Sequence, residues 1–125
     1  MARWLLPLLL LALLPAPASA ASLAGTKWRV VSVGGDAVPR SAGERLSFRV
    51  RRFSGDDGCN TFSGRYHATG SMLRFRDVKT TAIGCEGGPP RISGPIDRVR
   101  GYRMGGDRLE LLGRRGRTLA VLRRR

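Results

Sequence analysis

Residues 55–66 read GDDGCNTFSGRY, a glycine-rich turn that leads into an alternating stretch. The DDG segment favours a turn, because glycine tolerates a positive φ and aspartate side chains bond neighbouring backbone amides. Cys59 follows this turn, and Cys85 is the only other cysteine in the chain. The residues found elsewhere must decide whether the pair is a metal site, a redox centre, a nucleophile or a structural bridge.

The N-terminus predicts export. Residues 1–20 combine one positive charge at Arg3, an apolar run from Trp4 to Leu14 and small residues ending in an A-x-A pattern, the layout of a secretory signal peptide. The apolar run is shorter than the ~20 residues that span a bilayer. We therefore expect cleavage after Ala20, no transmembrane anchor, no lipid-attachment cysteine at the cut, and a periplasmic or secreted bacterial product.

The mature chain, residues 21–125, has the length of one domain. A domain of this size buries only a limited share of its surface. In an oxidising compartment a disulfide is therefore an expected stabiliser, and Cys59 and Cys85 permit one intramolecular bridge.

Other uses of the two cysteines lack the residues that they require. A zinc site needs three or four ligands at set spacing, and a thiol oxidoreductase usually carries a C-x-x-C pair at a helix N-terminus. The chain has one histidine, His67, no C-x-x-C pair, and no helical pattern around Cys59 or Cys85. Ser63, His67 and Asp56 could make a hydrolase triad on composition, but no G-x-S-x-G motif is present. The spacing of a calcium loop is also absent. A disulfide is favoured, and no catalytic residue, metal site or cofactor is expected.

Short alternating runs separated by glycine predict a mainly β fold of the α+β type. We expect a small antiparallel sheet or an open, barrel-like meander, with Trp28 and Val30 on one face of its first strand. Residues 89–100 are the one place for a helix, which their prolines and glycine keep short or irregular. The predicted strands cover residues 27–33, 45–50, 60–68, 72–76, 98–104, 108–112 and 117–122.

Several stretches together carry a family resemblance. GDDGCNTFSGRYHATGSMLRF and the later TTAIGCEGG are similar to the core signature of the META domain, the HslJ-type heat-shock protein family, and LAGTKWRVVSVGG and YRMGGDRLELLGRRGRTLAVL to its opening and closing strands. The resemblance spans nearly all of residues 23–122. The family motif falls on Trp28, Gly58, Cys59, Asn60, Gly64 and Tyr66.

The resemblance implies a small β-rich module with one helix, often exported or lipid-anchored and associated with heat-shock, antibiotic-tolerance or motility phenotypes. It implies a structural role for the motif residues and supports the pairing of Cys59 with Cys85. It implies no catalytic mechanism and no cofactor, so we do not expect an enzyme.

The charge is the feature that fold and motif leave unexplained. The chain carries +14 at pH 7, and loss of Arg3 with the signal peptide leaves +13. Such a field attracts polyanions, and the arginine fork suits phosphate and carboxylate. If the predicted strands 45–50 and 72–76 lie side by side, their arginines form one surface for anionic envelope components. The arginines named for this role are Arg49, Arg51, Arg74 and Arg76.

One alternative explanation of the charge is open, and another is disfavoured. The arginines could be a solvated polar face in a chain whose composition reflects a GC-rich genome, since only Lys27 and Lys79 are lysine. Nucleic acid is not expected as a partner, because export separates the protein from the nucleic acid of the cell. In addition, Phe62 and Tyr66 do not form the pattern of a base-stacking surface.

Two functional hypotheses follow. The first is a monomeric, non-catalytic envelope module that is related to stress and binds an unknown ligand. The second is a small periplasmic inhibitor or accessory protein of an envelope enzyme. A basic target enzyme would be repelled, so this second hypothesis requires an acidic one.

Overall fold

The structure, a computed structural model, describes residues 22–125 together with residues 3–5 and 7. Apart from those four positions, the predicted signal peptide, residues 1–20, lies outside the described residues, as does its cleavage site. None of the helical segments in the described part of the chain has the length and hydrophobicity of a membrane span.

The described residues form nine antiparallel β-strands. Eight of them close into a barrel, because the first strand pairs with both the third and the last, and the two-residue second strand extends one edge of the first. The strands are β1 Lys27–Val33, β2 Asp36–Ala37, β3 Arg45–Phe48, β4 Arg52–Asp56, β5 Thr61–Thr69, β6 Met72–Thr80, β7 Gly101–Gly105, β8 Arg108–Leu112 and β9 Thr118–Arg124.

The mainly β prediction is confirmed, and the sheet closes fully. Helical structure in the described residues is limited to three 3₁₀ turns, at Arg40–Ala42, Ile96–Arg98 and Arg114–Gly116. The segment 89–100, predicted to hold at most a short helix, contains only the second of these turns. Pro95 directly precedes it, and a proline at that place fits a helix start but not a helix interior.

The alternating residues of each strand place one apolar set inside the barrel. Phe53 packs edge-to-face on Phe75 with 4.6 Å between the ring centroids, and Phe48 packs on Tyr66 in the same way with 5.1 Å between the centroids. Such aromatic pairs add to the gain from burial alone. Because side chains fill the interior, the groups that can contact a partner lie on the outer face and at the ends. The completely buried side chains include Trp28, Leu46, Leu73, Ile92, Leu109, Leu111 and Leu122.

Strand β4 is absent from the predicted strands. Its outward residues are polar and Phe53 points inward, but the next inward position is Gly55, which breaks the apolar alternation. The ring of Phe62 on β5 occupies the space that a side chain on Gly55 would need. The core is thus completed from the neighbouring strand, a contact that alternation within one strand does not reveal.

Strand β6 is longer than predicted because it contains a β-bulge. The register with β5 shifts between Ser63 and Arg65, and Asp77 takes a left-handed φ of 53°. A Cβ on Gly64 would lie 2.6 Å from the Arg76 carbonyl oxygen, so the bulge requires glycine there. Bulges increase local twist, and this one carries β6 on to Thr80.

Candidate functional site

The signature motif forms a polar cluster where β4 turns into β5. Asp57 is buried, and its Oδ1 accepts hydrogen bonds from the amides of Cys59 (2.9 Å) and Asn60 (2.6 Å). Its Oδ2 accepts a hydrogen bond from the Ser93 hydroxyl at 2.5 Å. The aspartate therefore closes its own turn and ties it to the segment that precedes β7.

Asn60 and the disulfide hold a second segment against the same turn. The Asn60 side chain accepts a hydrogen bond from the Ile83 amide (2.7 Å) and donates one to the Ile83 carbonyl (3.1 Å). The predicted disulfide between Cys59 and Cys85 is confirmed, with the two Cα atoms 6.1 Å apart. Both residues thus attach the exposed segment 81–85 to the barrel.

Gly58 and Tyr66 complete the motif by contacts with backbone. Gly58 has a φ of 86°, and a Cβ there would lie 2.8 Å from the Ala42 carbonyl oxygen. The Tyr66 hydroxyl donates to the Arg49 carbonyl (2.6 Å), and the Tyr66 amide donates to the Arg51 carbonyl (3.1 Å). The motif residues described so far hold main-chain segments in place, so their role is structural.

Glu44, which the sequence reasoning missed, lies beside this cluster. It is buried just before β3, and its Oε1 accepts a hydrogen bond from the Ile92 amide at 2.7 Å. Its Oε2 has no hydrogen-bond partner among the described residues. Burial raises the pKa of Glu44 from 4.5 to about 7; the Ile92 amide opposes this rise, and the nearby charge of Asp57 adds to it.

The pKa of Asp57 is shifted in the opposite direction. Burial alone would raise its pKa, but the hydrogen bonds from the Ser93 hydroxyl and the amides of Asn60 and Cys59 outweigh burial and lower the pKa below its ordinary value. Arg91 contributes as well, with its Nη1 4.0 Å from Asp57 Oδ1 and donating to the Asp57 carbonyl. Of the two buried carboxyls, Glu44 is thus the one that titrates near neutral pH.

We expect the free energy of unfolding to fall as the pH rises from about 4.5 to 7. In this range the folded state keeps the Glu44 proton while the unfolded chain releases it. The folded state therefore binds more protons than the unfolded state, and its stability falls until the pH passes the raised pKa. The contribution lost is at most about 3 kcal/mol. Urea unfolding at a series of pH values measures the slope.

Glu44→Gln is the matched control, because glutamine resembles the protonated carboxyl in shape and has no charge to bury. The variant should unfold with nearly the same free energy at pH 5 and pH 7 and should exceed the wild type at pH 8. A wild-type stability that rises between pH 5 and 7, with the variant following it, would contradict this assignment.

The cluster is poorly placed for chemistry on a substrate. Glu44 and Asp57 are 2 % and 3 % exposed, and a general acid or base must come within hydrogen-bond reach of the reacting group. Among the described residues, no group of three or more His, Cys, Asp or Glu side chains is arranged to hold a metal ion.

The four arginines predicted to bind anions are all exposed, but they do not lie on adjacent strands. Arg49 follows β3, Arg51 lies in the next turn with a φ of 61°, and Arg74 and Arg76 are on β6. Strands β3 and β6 are not neighbours, because β4 and β5 lie between them.

Two arginines that the sequence reasoning missed bridge this gap. Arg52 on β4 is directly opposite Arg65 on β5, and Arg65 is directly opposite Arg76 on β6. The Arg49 amide donates to the Arg52 carbonyl at 2.8 Å, which places Arg49 across the hairpin from Arg52. We call Arg49, Arg52, Arg65 and Arg76 the β3–β6 arginine row. Within residues 22–125, none of its members forms an ion pair with a carboxylate.

A second row lies on other strands of the barrel. Arg29 on β1 is opposite both Arg45 on β3 and Arg123 on β9, and Arg123 is opposite Arg108 on β8. We call these four residues the β8–β3 arginine row. Three of them have acidic partners: Arg45 with Asp56 (3.9 Å), Arg123 with Asp107 (2.8 Å) and Arg108 with Glu110 (2.7 Å). The two rows thus differ in whether carboxylates balance the charge.

Residues 21–125 match the family model of the META domain. The chain belongs to the META domain family. The resemblance drawn from the motif is thereby confirmed, and the motif contacts described above show how this META domain holds its barrel end together. A comparison with curated proteins finds no match.

Solved structures with the same fold accompany the family match. One is the NMR structure of a protein from Burkholderia xenovorans, which is 25 % identical to this chain. The two superpose with a TM-score of 0.62, and the match covers 82 % of this chain and 83 % of the other. A crystal structure of a DUF4847 family protein from Bacteroides vulgatus is 16 % identical, with a TM-score of 0.56 over 81 % and 93 % of the two chains. The second likeness concerns the fold alone. The disulfide of this META domain is consistent with an extracellular or periplasmic location.

Proposed function

We propose that this META domain is an exported, non-catalytic binding module of the bacterial envelope that contacts anionic envelope components. The observation that carries the proposal is the β3–β6 arginine row, a line of exposed cations without carboxylate partners among the described residues. An unbalanced surface charge of this kind attracts anions and increases their local concentration.

The polar cluster supports a role without turnover. The buried Asp57 carboxylate accepts hydrogen bonds from the Cys59 and Asn60 amides and the Ser93 hydroxyl, and it holds the turn between β4 and β5. The motif then serves stability, and recognition is left to the outer face.

Export and a role under envelope stress are further parts of the proposal. The signal-like residues 1–20 and the disulfide support export. A disulfide-closed barrel suits conditions that unfold weaker proteins. A net charge of +13 after cleavage favours a monomer, because copies of the domain repel one another.

One observation favours the second candidate, an inhibitor or accessory protein of an envelope enzyme. Residues 81–88 are all exposed, with Ile83 62 % exposed, yet Asn60 and Cys85 hold this segment to the barrel. A held loop with an exposed apolar side chain can enter an enzyme cleft at little entropic cost.

Capture from a bacterial envelope extract separates the two candidates. Immobilised residues 21–125 should retain lipid or polysaccharide phosphate in amounts that fall as salt is added, and should retain no single protein in equal molar ratio. Stoichiometric capture of one enzyme that persists in high salt, and that is lost in an Ile83→Ser variant, would overturn the binding-module proposal in favour of the inhibitor.

A further inference from the structure

We propose that the β3–β6 arginine row is a phosphate-binding face, and that its ligand is an envelope surface that displays several phosphate groups close together. This inference rests on the proposed function and assigns it to four residues. Two of its members, Arg49 and Arg76, are among the arginines predicted from the sequence, and the strand register adds Arg52 and Arg65 between them.

The spacing of the row follows from the sheet. Neighbouring strands lie about 4.8 Å apart, so four arginines on three consecutive strands and just beyond the end of the next one span roughly 14 Å. Each guanidinium presents a planar fork of donors that matches two oxygens of a phosphate. A single phosphate can engage one or two of these forks, whereas a group of phosphates a few ångströms apart can engage the whole row.

The electrostatics of the row also point to an anion. Like charges directly opposite one another on neighbouring strands are destabilising, and Arg52, Arg65 and Arg76 occupy such positions. In the β8–β3 arginine row, carboxylates of the domain itself offset this repulsion. In the β3–β6 row an external anion would supply the missing negative charge.

A groove beside the row adds hydrogen-bond donors. The next outward positions on the same strands are Ser47, Ser54, Ser63 and Lys79, which are again in direct cross-strand register. Together with the ion-paired Arg45 and Asp56, they line an open groove of about 530 Å³. Serine hydroxyls and the lysine ammonium in this groove can donate to phosphate oxygens.

The row lies on the outside of the barrel, which suits an extended surface better than an enclosed small molecule. On the other side of the row, His67 and Arg74 are paired on β5 and β6 and continue the polar surface. We therefore assign the row to phosphate groups held on a surface, such as those of an anionic phospholipid headgroup layer.

The test compares two triple variants that remove the same charge. Arg52→Gln, Arg65→Gln and Arg76→Gln together remove the core of the β3–β6 row. Arg29→Gln, Arg108→Gln and Arg123→Gln together remove three in-register members of the β8–β3 row. Co-sedimentation of residues 21–125 is measured with phosphatidylcholine vesicles that contain cardiolipin, at low salt, with tripolyphosphate as a soluble competitor.

We expect the β3–β6 variant to bind at least about tenfold more weakly than the wild type, since it loses several charge-assisted contacts. The β8–β3 variant should stay within about threefold, because carboxylates already occupy most of its arginines. Tripolyphosphate should displace the wild type from the vesicles.

Three outcomes would overturn the inference or its basis. Equal losses of vesicle binding in both triple variants would mean that only net charge matters. This result would contradict the assignment of binding to the row, and the proposed function would still stand. Unchanged binding of the β3–β6 variant would also contradict only the assignment to the row. Failure of the wild type to bind the vesicles at low salt would remove the proposed function itself. Thermal unfolding of each variant in phosphate-free buffer checks that the barrel is intact.

Discussion

Replacing Trp28 with alanine is expected to lower the free energy of unfolding by about 3–5 kcal/mol, the range for removing a large aromatic side chain from a core. Trp28 is 0 % exposed, and its Nε1 donates to the Thr26 hydroxyl at 2.8 Å. The Arg124 guanidinium lies over the ring, 4.9 Å from its centroid. Because β1 joins β3 to β9, the cavity would open where the barrel closes.

Denaturant unfolding of residues 21–125 measures this change, with Trp28→Phe as the control. Phenylalanine keeps most of the apolar contact and loses the hydrogen bond to Thr26, so it should cost clearly less than alanine. Trp28 is the only tryptophan after Trp4, so the fluorescence of residues 21–125 reports on this site alone. An emission maximum typical of indole in water, or an alanine variant as stable as the wild type, would contradict the buried position.

Cys59→Ser is expected to lower the free energy of unfolding by about 3–4 kcal/mol, from the chain entropy of the closed loop. The bridge joins residues 26 positions apart. The fold class should be retained, because Asn60 still bonds the backbone of Ile83 and Asp57 still closes the turn. Circular dichroism checks the fold, and denaturant unfolding without reductant measures the loss.

The double variant Cys59→Ser with Cys85→Ser is the matched control. It should be no less stable than Cys59→Ser alone, since the first substitution already removes the bond. Alkylation of native protein followed by intact mass measurement should find no free thiol in the wild type. Two alkylated cysteines, or a single variant as stable as the wild type, would sink the assignment.

Most strands were predictable because their alternation reports directly which face is buried. Strand β1 matches its prediction, and β8 does as well. Strand β4 was missed because the space at Gly55 is filled by Phe62 from another strand, and a residue that packs without a side chain leaves no apolar signal.

The site was less predictable, because it depends on register and on long-range burial. Alternation identifies outward arginines on a strand, but only the pairing of β4 with β5 and of β5 with β6 places Arg52, Arg65 and Arg76 in one row. Glu44 resembles a surface residue in the sequence, and it becomes buried only when Ile92, 48 positions later, lies against it. The motif itself was easier, since the turn-forming and disulfide chemistry of residues 57–60 is local.

We expect the exterior charge of this META domain, and not the motif cluster, to contact its partner. The most direct test is co-sedimentation of residues 21–125 with anionic and with zwitterionic vesicles as the salt concentration is raised. We predict retention on the anionic vesicles at low salt, release as the screening length falls toward about 8 Å near physiological ionic strength, and no retention on zwitterionic vesicles. Equal retention on both kinds of vesicle, or none on the anionic vesicles at low salt, would contradict the claim.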